Sequence, residues 1–277
     1  MRLYEFWRRF RKNRAAEFSS YCILFFIVVA VCASWISPYD PFALGNGPFL
    51  PPQRDHLMGT DDLGRDTFSR VLYGTQVSLM VGFLAAATSL IVGTAVGSVS
   101  GYFGGLVDDV LMRATEYVLV IPRFFLALLI VALLGTGITK IILVIGFLSW
   151  PEIARLVRAQ FLTFKEREFV LAARAMGMKD WKIIFAEILP NAIPPAIVVG
   201  SFLVARAILL EAGLSFLGLG DPNFISWGML LSDAQERIWY STWLAIFPGV
   251  AISLLVLSIN LFGDGINDVL NPKLKEK

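Results

Sequence analysis

The chain has 277 residues, of which 56% are hydrophobic and only 17% are charged, and its mean hydropathy is +0.68. Soluble domains have about a quarter of their residues charged, so lipid is the expected solvent for most of this chain. The formal net charge of +2 is too small to indicate nucleic-acid binding. Two cysteines, Cys22 and Cys32, and a single histidine, His56, provide no disulfide framework, no spaced thiol metal site and no pair of imidazoles.

Stretches without Asp, Glu, Lys or Arg occur at 18–39, 71–107, 124–139, 141–151, 188–205 and 238–263. A transmembrane helix needs about 20 apolar residues, and about 17 is the practical minimum. Four stretches reach or nearly reach this length alone. The third stretch reaches this length if 117–121 extend it. The fourth is accepted as a transmembrane span over 138–156, because Glu152 and Arg155 would lie where the helix leaves the membrane. We predict an all-α polytopic membrane protein with six transmembrane helices.

Arginine and lysine predict the orientation, because cytoplasmic loops collect these residues. With the amino terminus inside, seventeen of them lie on the cytoplasmic side and five outside. We therefore predict that both termini are inside, and that the first stretch is an uncleaved anchor, since it is too long for a signal-peptide core. The predicted parts are a tail at 1–17, a first span at 18–37, an outside loop at 38–70, a core of five spans at 71–264 with a cytoplasmic segment at 157–190 and an outside loop at 218–240, and a tail at 265–277.

Gly93, Gly97 and Gly101 recur every four residues in the second stretch, so they lie on one helix face. Small residues at this spacing predict that another helix approaches closely. The alternative is that glycine is simply common in membrane helices.

The cytoplasmic segment is amphipathic, and its part FVLAARAMG has small residues within two turns, at Ala172, Ala173, Ala175 and Gly177. Small side chains on an exposed helix leave a shallow surface into which another protein can fit. The alternative is an ordinary solvated helical hairpin.

Glycine readily takes the left-handed cap conformation, so Gly177 is predicted to end the first helix of this hairpin. A second helix is predicted to begin at 179–181 and to run to Pro190.

The hairpin resembles the EAA loop of permease subunits in binding-protein-dependent ATP-binding-cassette (ABC) importers. That pattern reads Glu-Ala-Ala, three residues, Gly, nine residues, Ile, one residue, Leu-Pro. The matching positions here are Ala172, Ala173, Gly177, Leu189 and Pro190. Leu171 replaces the glutamate and Glu187 replaces the isoleucine.

The resemblance covers nearly the whole chain and narrows to the second permease of the dipeptide, oligopeptide and nickel importers. Its motifs are GTDDLGRDTFSRVLYGTQVSL at 59–79, LSFLGLG at 214–220, SWG at 226–228 and NLFGDGINDVLNPK at 260–273. The last motif departs from the usual form at Asn267, where arginine is common, and at Asn271, where aspartate is common.

The resemblance implies a type I ABC importer permease fold in the bacterial inner membrane and a coupling helix seated in a separate ATP-hydrolysing subunit. It assigns to this interface Glu168, Leu171, Ala172, Ala173, Ala175, Met176, Gly177, Lys179, Asp180, Leu189 and Pro190. The implied partners are a second homologous permease, two cytoplasmic ATP-binding subunits and a periplasmic or lipid-anchored solute-binding protein. The chain has no G-x-x-x-x-G-K-[ST] phosphate loop, so ATP and magnesium would be bound by the partners. The implied cargo is a dipeptide or oligopeptide, with nickel chelates and glutathione-like molecules as alternatives.

Arg206 and Glu211 fall in the fifth predicted span, where ionisable residues are costly and usually face a cavity or a partner. Residues five apart lie about 140° around a helix, so the two cannot readily pair with each other. Each is predicted to find its partner elsewhere, across the permease dimer or in a wet translocation path. The alternative is that Glu211 lies in water at the outer interface and Arg206 extends toward it.

No catalytic or metal site is predicted. Ser215 would need an imidazole as a nucleophile, but His56 lies in a distant outside loop and is expected to be exposed. Asp264 and Asp268 are expected to be solvated at the end of the last span. The competing interpretations are a secondary transporter or channel, which would show two-fold repeats, and a membrane-embedded protease.

Overall fold

A computed structural model describes residues 8, 10–11, 13–45 and 47–270. Within these residues the regular secondary structure is all helical, apart from one isolated bridge between Thr60 and Asp66. This confirms the all-α prediction for the described part, whereas much of the predicted tails and Asn271 lie outside it. The helices are α1 Arg14–Ile36, α2 Thr67–Phe103, α3 Gly105–Val120, α4 Arg123–Leu134, α5 Ile138–Phe164, α6 Glu168–Ala175, α7 Asp180–Leu219, α8 Trp227–Gln235 and α9 Trp243–Leu270.

Helices α1, α2, α7 and α9 are each long and apolar enough to cross a membrane, whereas α3 and α4 qualify only as a pair that is bent by 88°. The bend lies at Ile121 and Pro122, where the backbone is not helical. Proline lacks the N–H that would continue the helix, and it disfavours helical geometry in the residue before it. Residues 117–121 therefore do not extend α4 in a straight line. By length and composition, the described residues hold four spans, or five if the bent pair is one.

The most extensive helix contact joins α2 to α5, and it passes through the three glycines. A Cβ atom on Gly93 or Gly101 would lie 2.6 Å or 2.5 Å from a side-chain carbon of α5, and one on Gly97 would overlap the carbonyl oxygen of Ala154. The glycines therefore let the two backbones approach as closely as sterics allow. The predicted role of this face is confirmed.

Helix α7 is longer than predicted, because it does not end at Pro190. A π-helical segment at Ile183–Ile188 precedes Pro190, and the Leu189 N–H bonds to the carbonyl of Ile184. This change of register places Pro190 in the first turn of a new α-helical segment, where a missing N–H costs little. The helix therefore continues to Leu219.

Ion pairs tie the segment before α2 and the first turn of α2 to α8 and the segment that follows it. Asp61 accepts a hydrogen bond from Arg65 at 2.6 Å and pairs with Arg70, whose side chain is only 2% exposed. Arg70 also pairs with Asp233 at 3.2 Å, and Arg237 pairs with Asp62 at 2.8 Å. The parts of the chain predicted as outside loops thus meet at one end of the bundle, which we call the loop end.

His56 is buried, so the expectation that it is exposed is wrong. Its Nδ1 lies 2.9 Å from a carboxylate oxygen of Asp66, and its ring stacks on Tyr39 at 4.9 Å between centroids. Asp66 in turn caps α2 by accepting a hydrogen bond from the Ser69 N–H at 2.8 Å. His56 is thus part of the cap that starts α2.

The SWG motif anchors α8 inside the bundle. Trp227 is fully buried and donates its indole N–H to the carbonyl of Val71 at 3.0 Å. A Cβ atom on Gly74 would lie 2.6 Å from the indole, and one on Gly228 would overlap Ala212. Both glycines are therefore needed for α8 to pack against α2 and α7.

The same glycine-to-alanine substitution is predicted to change the stability in opposite directions at two positions, one outside the glycine contact and one within it. Gly249→Ala in α9 should stabilise the chain by about 0.5–1 kcal/mol, because alanine favours the helix and a Cβ there meets nothing within 4 Å. Gly97→Ala should instead destabilise it by about 1–3 kcal/mol through overpacking. Thermal unfolding of the purified chain in detergent measures both. Equal stabilisation by both substitutions would contradict the contact.

The loop-end ion pairs predict a second contrast. Arg70→Ala breaks a buried pair and leaves Asp61 short of a partner, so it should cost about 3 kcal/mol. Arg237→Ala removes an ion pair whose arginine is 31% exposed, and it should cost less than about 1 kcal/mol. Unfolding titrations with sodium dodecyl sulfate give both values. Equal costs would show that burial does not set the strength of these pairs.

Candidate functional site

Helix α6 lies in the hairpin between α5 and α7, and one of its faces is locked into the bundle. Val170 is fully buried and Ala173 is 2% exposed. Both belong to the main hydrophobic core, together with Phe161 of α5 and Ile183 and Ile188 of α7. This contact fixes the orientation of a helix of only eight residues, which would not be stable alone.

The end of α2 provides a second anchor for the hairpin. The Tyr102 hydroxyl lies 2.5 Å from a carboxylate oxygen of Asp180, the first residue of α7. The Arg174 guanidinium lies over the Tyr102 ring, 5.2 Å from its centroid. Tyr102 thus joins the last turn of α6 to the start of α7. The sequence does not predict this role for Tyr102, because nothing in its local pattern separates it from an interfacial tyrosine.

The opposite face of α6 is open. Its exposed residues are Glu168, Leu171, Ala172, Ala175, Met176 and Gly177. Met176 is 75% exposed, and a Cβ atom on Gly177 would meet nothing within 4 Å. The small residues predicted to form a shallow surface do so, except that Ala173 faces inward.

Gly177 ends the first helix of the hairpin as predicted. It has a φ of +75°, its N–H bonds to Arg174, and the N–H of Met178 bonds to the carbonyl of Ala173 at 3.1 Å. This bonding pattern is a glycine C-cap. Lys179 then precedes α7 in extended conformation.

The remaining predicted interface residues lie along α7. Asp180 is exposed but bonded to Tyr102. Leu189 is half-buried and Pro190 is exposed, and Pro190 lies about 15 Å along the helix from Asp180. Between them, Trp181 and Phe185 are 57% and 64% exposed. These two aromatic residues extend the open apolar surface, and no pattern in the sequence had predicted this role for them.

Arg206 has its partner within the chain, on a different helix. Its Nη1 lies 2.8 Å from one oxygen of Glu152 in α5, and the Nη2 of Arg123 in α4 lies 2.9 Å from the other oxygen. Arg206 does not pair with Glu211, which agrees with the prediction from their spacing. Glu152 was placed at the exit of a span, and its role as a bridging carboxylate was missed.

Glu211 is 1% exposed, so the alternative that it lies in water is wrong. The Ser215 hydroxyl donates to its carboxylate at 2.6 Å.

Nearby, Asp221 accepts the N–H of Ile138 at 3.0 Å and that of Asn223 at 3.0 Å. Burial acts to raise the pKa of Asp221, but these backbone donors and the side-chain amide of Asn223 together outweigh burial and hold the pKa below its usual value. Asp221 thereby joins the start of α5 to the end of α7.

The carboxylates at the end of α9 are exposed, as expected, and Asp268 accepts a hydrogen bond from Asn13 at 3.1 Å. In the part of the chain that the structure describes, no three His, Cys, Asp or Glu residues are placed to hold a metal ion.

Comparisons with known proteins place this architecture in a family. Residues 93–276 match the family model described as the inner membrane component of binding-protein-dependent transport systems, and residues 2–53 match the amino-terminal transmembrane domain of oligopeptide transport permease C.

Similar curated proteins cover nearly the whole chain. It is 38% identical to the glutathione transport system permease protein GsiD of Pectobacterium atrosepticum, over 98% of this chain and 91% of the relative. It is 39% identical to the dipeptide transport system permease protein DppC of Alkalihalophilus pseudofirmus, over 98% and 90%. The GsiD protein of Escherichia coli is 40% identical, over 98% and 91%.

A solved structure shares the fold. A chain of the MetNI methionine ABC transporter, in an inward-facing conformation, superposes with a TM-score of 0.59 at 19% identity, and the match covers 73% of this chain and 97% of that one. The family is a transport family and not an enzyme family. The chain therefore belongs to the inner-membrane permease components of binding-protein-dependent ABC importers, among the relatives of the dipeptide and glutathione permeases.

Proposed function

We propose that the chain crosses the membrane six times with both termini inside, and that it has no catalytic activity of its own. The bent pair α3–α4 would form the third span and α5 the fourth, so that 18–37 is the first span and the core extends over 71–264. The excess of arginine and lysine at 157–190 supports a cytoplasmic hairpin. The loop end of the bundle, with 38–70 and 218–240, would then face the periplasm and the solute-binding protein.

The coupling assignment depends mainly on one observation. Helix α6 has one face locked into the core and an opposite face of small and exposed residues. A rigid helix with an unobstructed outer face suits docking into a cleft of another subunit. The predicted interface, from Glu168 through Asp180 and on to Leu189 and Pro190, would contact one of two ATP-binding subunits. A second homologous permease would complete the membrane-spanning assembly.

The resulting mechanism is alternating access driven from outside this chain. When the two partner subunits close on ATP and magnesium, they would move the coupling helices, and the anchors at Val170, Ala173 and Tyr102 would transmit this motion to α5, α7 and α2. ATP would shift the populations of the inward-open and outward-open states through its tighter binding to the closed arrangement. The nucleotide chemistry would belong entirely to the partners.

The relatives point to peptides as the cargo class. The named relatives include a glutathione permease and a dipeptide permease. We therefore propose that the cargo is a dipeptide or oligopeptide, with glutathione or a nickel chelate as alternatives within the family. The delivering protein would set most of the selectivity. Arg206 and Glu211 are proposed for the translocation path, although Glu211 is buried in this structure.

The coupling surface predicts a strong effect of side-chain size at Ala172. Ala172→Trp should abolish co-purification of the ATP-binding subunits, because the indole would fill the shallow face. Ala172 is exposed, so its substitution should leave the thermal midpoint of the permease within about 1 °C, since surface changes cost at most about 0.5 kcal/mol. Pull-down from detergent-solubilised membranes measures binding.

Ala172→Ser is the matched control, since it changes polarity but hardly changes size, and it should retain the partner subunits. Full retention of the ATP-binding subunits by Ala172→Trp would contradict the coupling role. Uptake by vesicles that lack ATP would contradict the ATP-driven mechanism.

A further inference from the structure

A cavity lies where the bent pair α3–α4 meets α5 and α7. Its volume is about 540 Å³, and most of its lining is apolar, with side chains such as Val118, Leu148 and Leu210. Three charged residues also line it, and they are Arg123, Glu152 and Arg206. An ion cluster in an apolar cavity of a membrane protein points to a function, because charges at such a depth are costly.

Along the length of the helices, the cluster lies far from the loop end of the bundle. The Ile138 N–H bonds to Asp221 just beyond Leu219, so α5 begins where α7 ends. At 1.5 Å per residue, Glu152 lies about 21 Å along α5 from Ile138, and Arg206 lies about 20 Å along α7 from Leu219. Because a bilayer core is about 30 Å thick, the cluster is at membrane depth in the proposed topology.

The cluster carries one uncompensated positive charge. Two guanidinium groups share the single carboxylate of Glu152, each through a different oxygen. Within the described part of the chain, Glu152 is the only ion-pair partner of either arginine. The Arg206 side chain is 55% exposed, and a guanidinium has five N–H donors. Arg206 therefore has donors available to a molecule that enters the cavity.

We propose that this cavity is a transit site for the carboxylate of the substrate, an inference that rests on the proposed peptide-import function. A peptide carboxylate would bind Arg206 through charge-assisted hydrogen bonds, while Glu152 keeps its bond to Arg123. Two neutral pairs then replace one cluster of charge +1. When the peptide leaves, Glu152 recaptures Arg206.

This exchange suits transport better than tight binding would. Glu152 competes with the substrate carboxylate for Arg206, so the peptide is held weakly and is released without a further reaction. A carboxylate is common to all free peptides, whatever their side chains, so its recognition is compatible with a broad range of sequences.

The test uses the complete importer, with its unmodified solute-binding protein, in proteoliposomes that contain ATP. The probes are a casein hydrolysate of short peptides and the same hydrolysate after amidation of its carboxyl groups, with uptake quantified by mass spectrometry. The readout is the ratio of free-acid to amidated uptake. The binding protein is the same in every assay, so a change in this ratio between variants reports on the permease.

Arg206→Gln is expected to lower free-acid uptake at least tenfold, and with it the ratio of free-acid to amidated uptake. Arg206→Lys should retain part of the preference for free-acid peptides. Glu152→Gln removes the competing carboxylate, so it should lower both the KM and the maximal rate for free-acid peptides. Arg155→Gln is the matched control, because Arg155 is exposed on α5 and does not line the cavity. It should leave the ratio unchanged.

An unchanged ratio in Arg206→Gln, or an equal loss of both probes in all cluster variants, would overturn the inference and indicate a structural ion cluster. If Arg206→Gln does not assemble, the KM of Glu152→Gln and the ratio in Arg206→Lys decide the question. If the wild-type importer takes up neither probe with ATP, the proposed peptide function fails and this inference fails with it. Wild-type uptake without any response of the ratio would refute only the transit site.

Discussion

The contact between α2 and α5 is the constraint on which the rest of the structure depends. Three glycines spaced by four residues let the backbone of α2 touch that of α5, because any side chain in their place would overlap α5. This contact sets the position of three features at once. The end of α5 leads into the hairpin, Glu152 on α5 faces the cavity, and Tyr102 at the end of α2 holds the start of α7.

Rigidity and exposure are combined in the hairpin for a physical reason. A helix of eight residues has little stability of its own, so its orientation must come from packing. Val170 and Ala173 provide this packing and leave the outer face small and unobstructed. A force applied to that face would pass directly into the core, because Phe161, Ile183 and Ile188 belong to the same cluster. The loop end is fixed in a different way, by buried ion pairs around Asp61 and Arg70.

The features that the sequence predicted well have local signals. Glycines at a spacing of four predicted the helix contact, and Gly177 predicted the helix end, because each depends on steric properties of one residue and its neighbours along the chain. The family motifs predicted the family, and its named relatives match over 98% of the chain. The separation of Arg206 from Glu211 followed from helical periodicity alone.

The features that were missed depend on contacts between distant segments. Glu152 and Arg206 are 54 positions apart, so only the packing of α5 on α7 makes them partners. His56 lies in a loop, as predicted, but Asp66 and Tyr39, which no local pattern links to it, bury it there. Pro190 looked like a helix end, but a π turn before it changes the register.

The most direct measurement is site-specific photocross-linking from the outer face of α6. In a chain with Cys22→Ser and Cys32→Ser, Met176→Cys would be labelled with benzophenone maleimide in the assembled importer, and Trp239→Cys, 91% exposed in the wild-type chain near the loop end, would serve for comparison. If α6 docks into an ATP-binding subunit, the label at position 176 cross-links to that subunit and the label at 239 does not. Cross-links from 176 to lipid alone, or to the ATP-binding subunit from 239 instead, would contradict this docking.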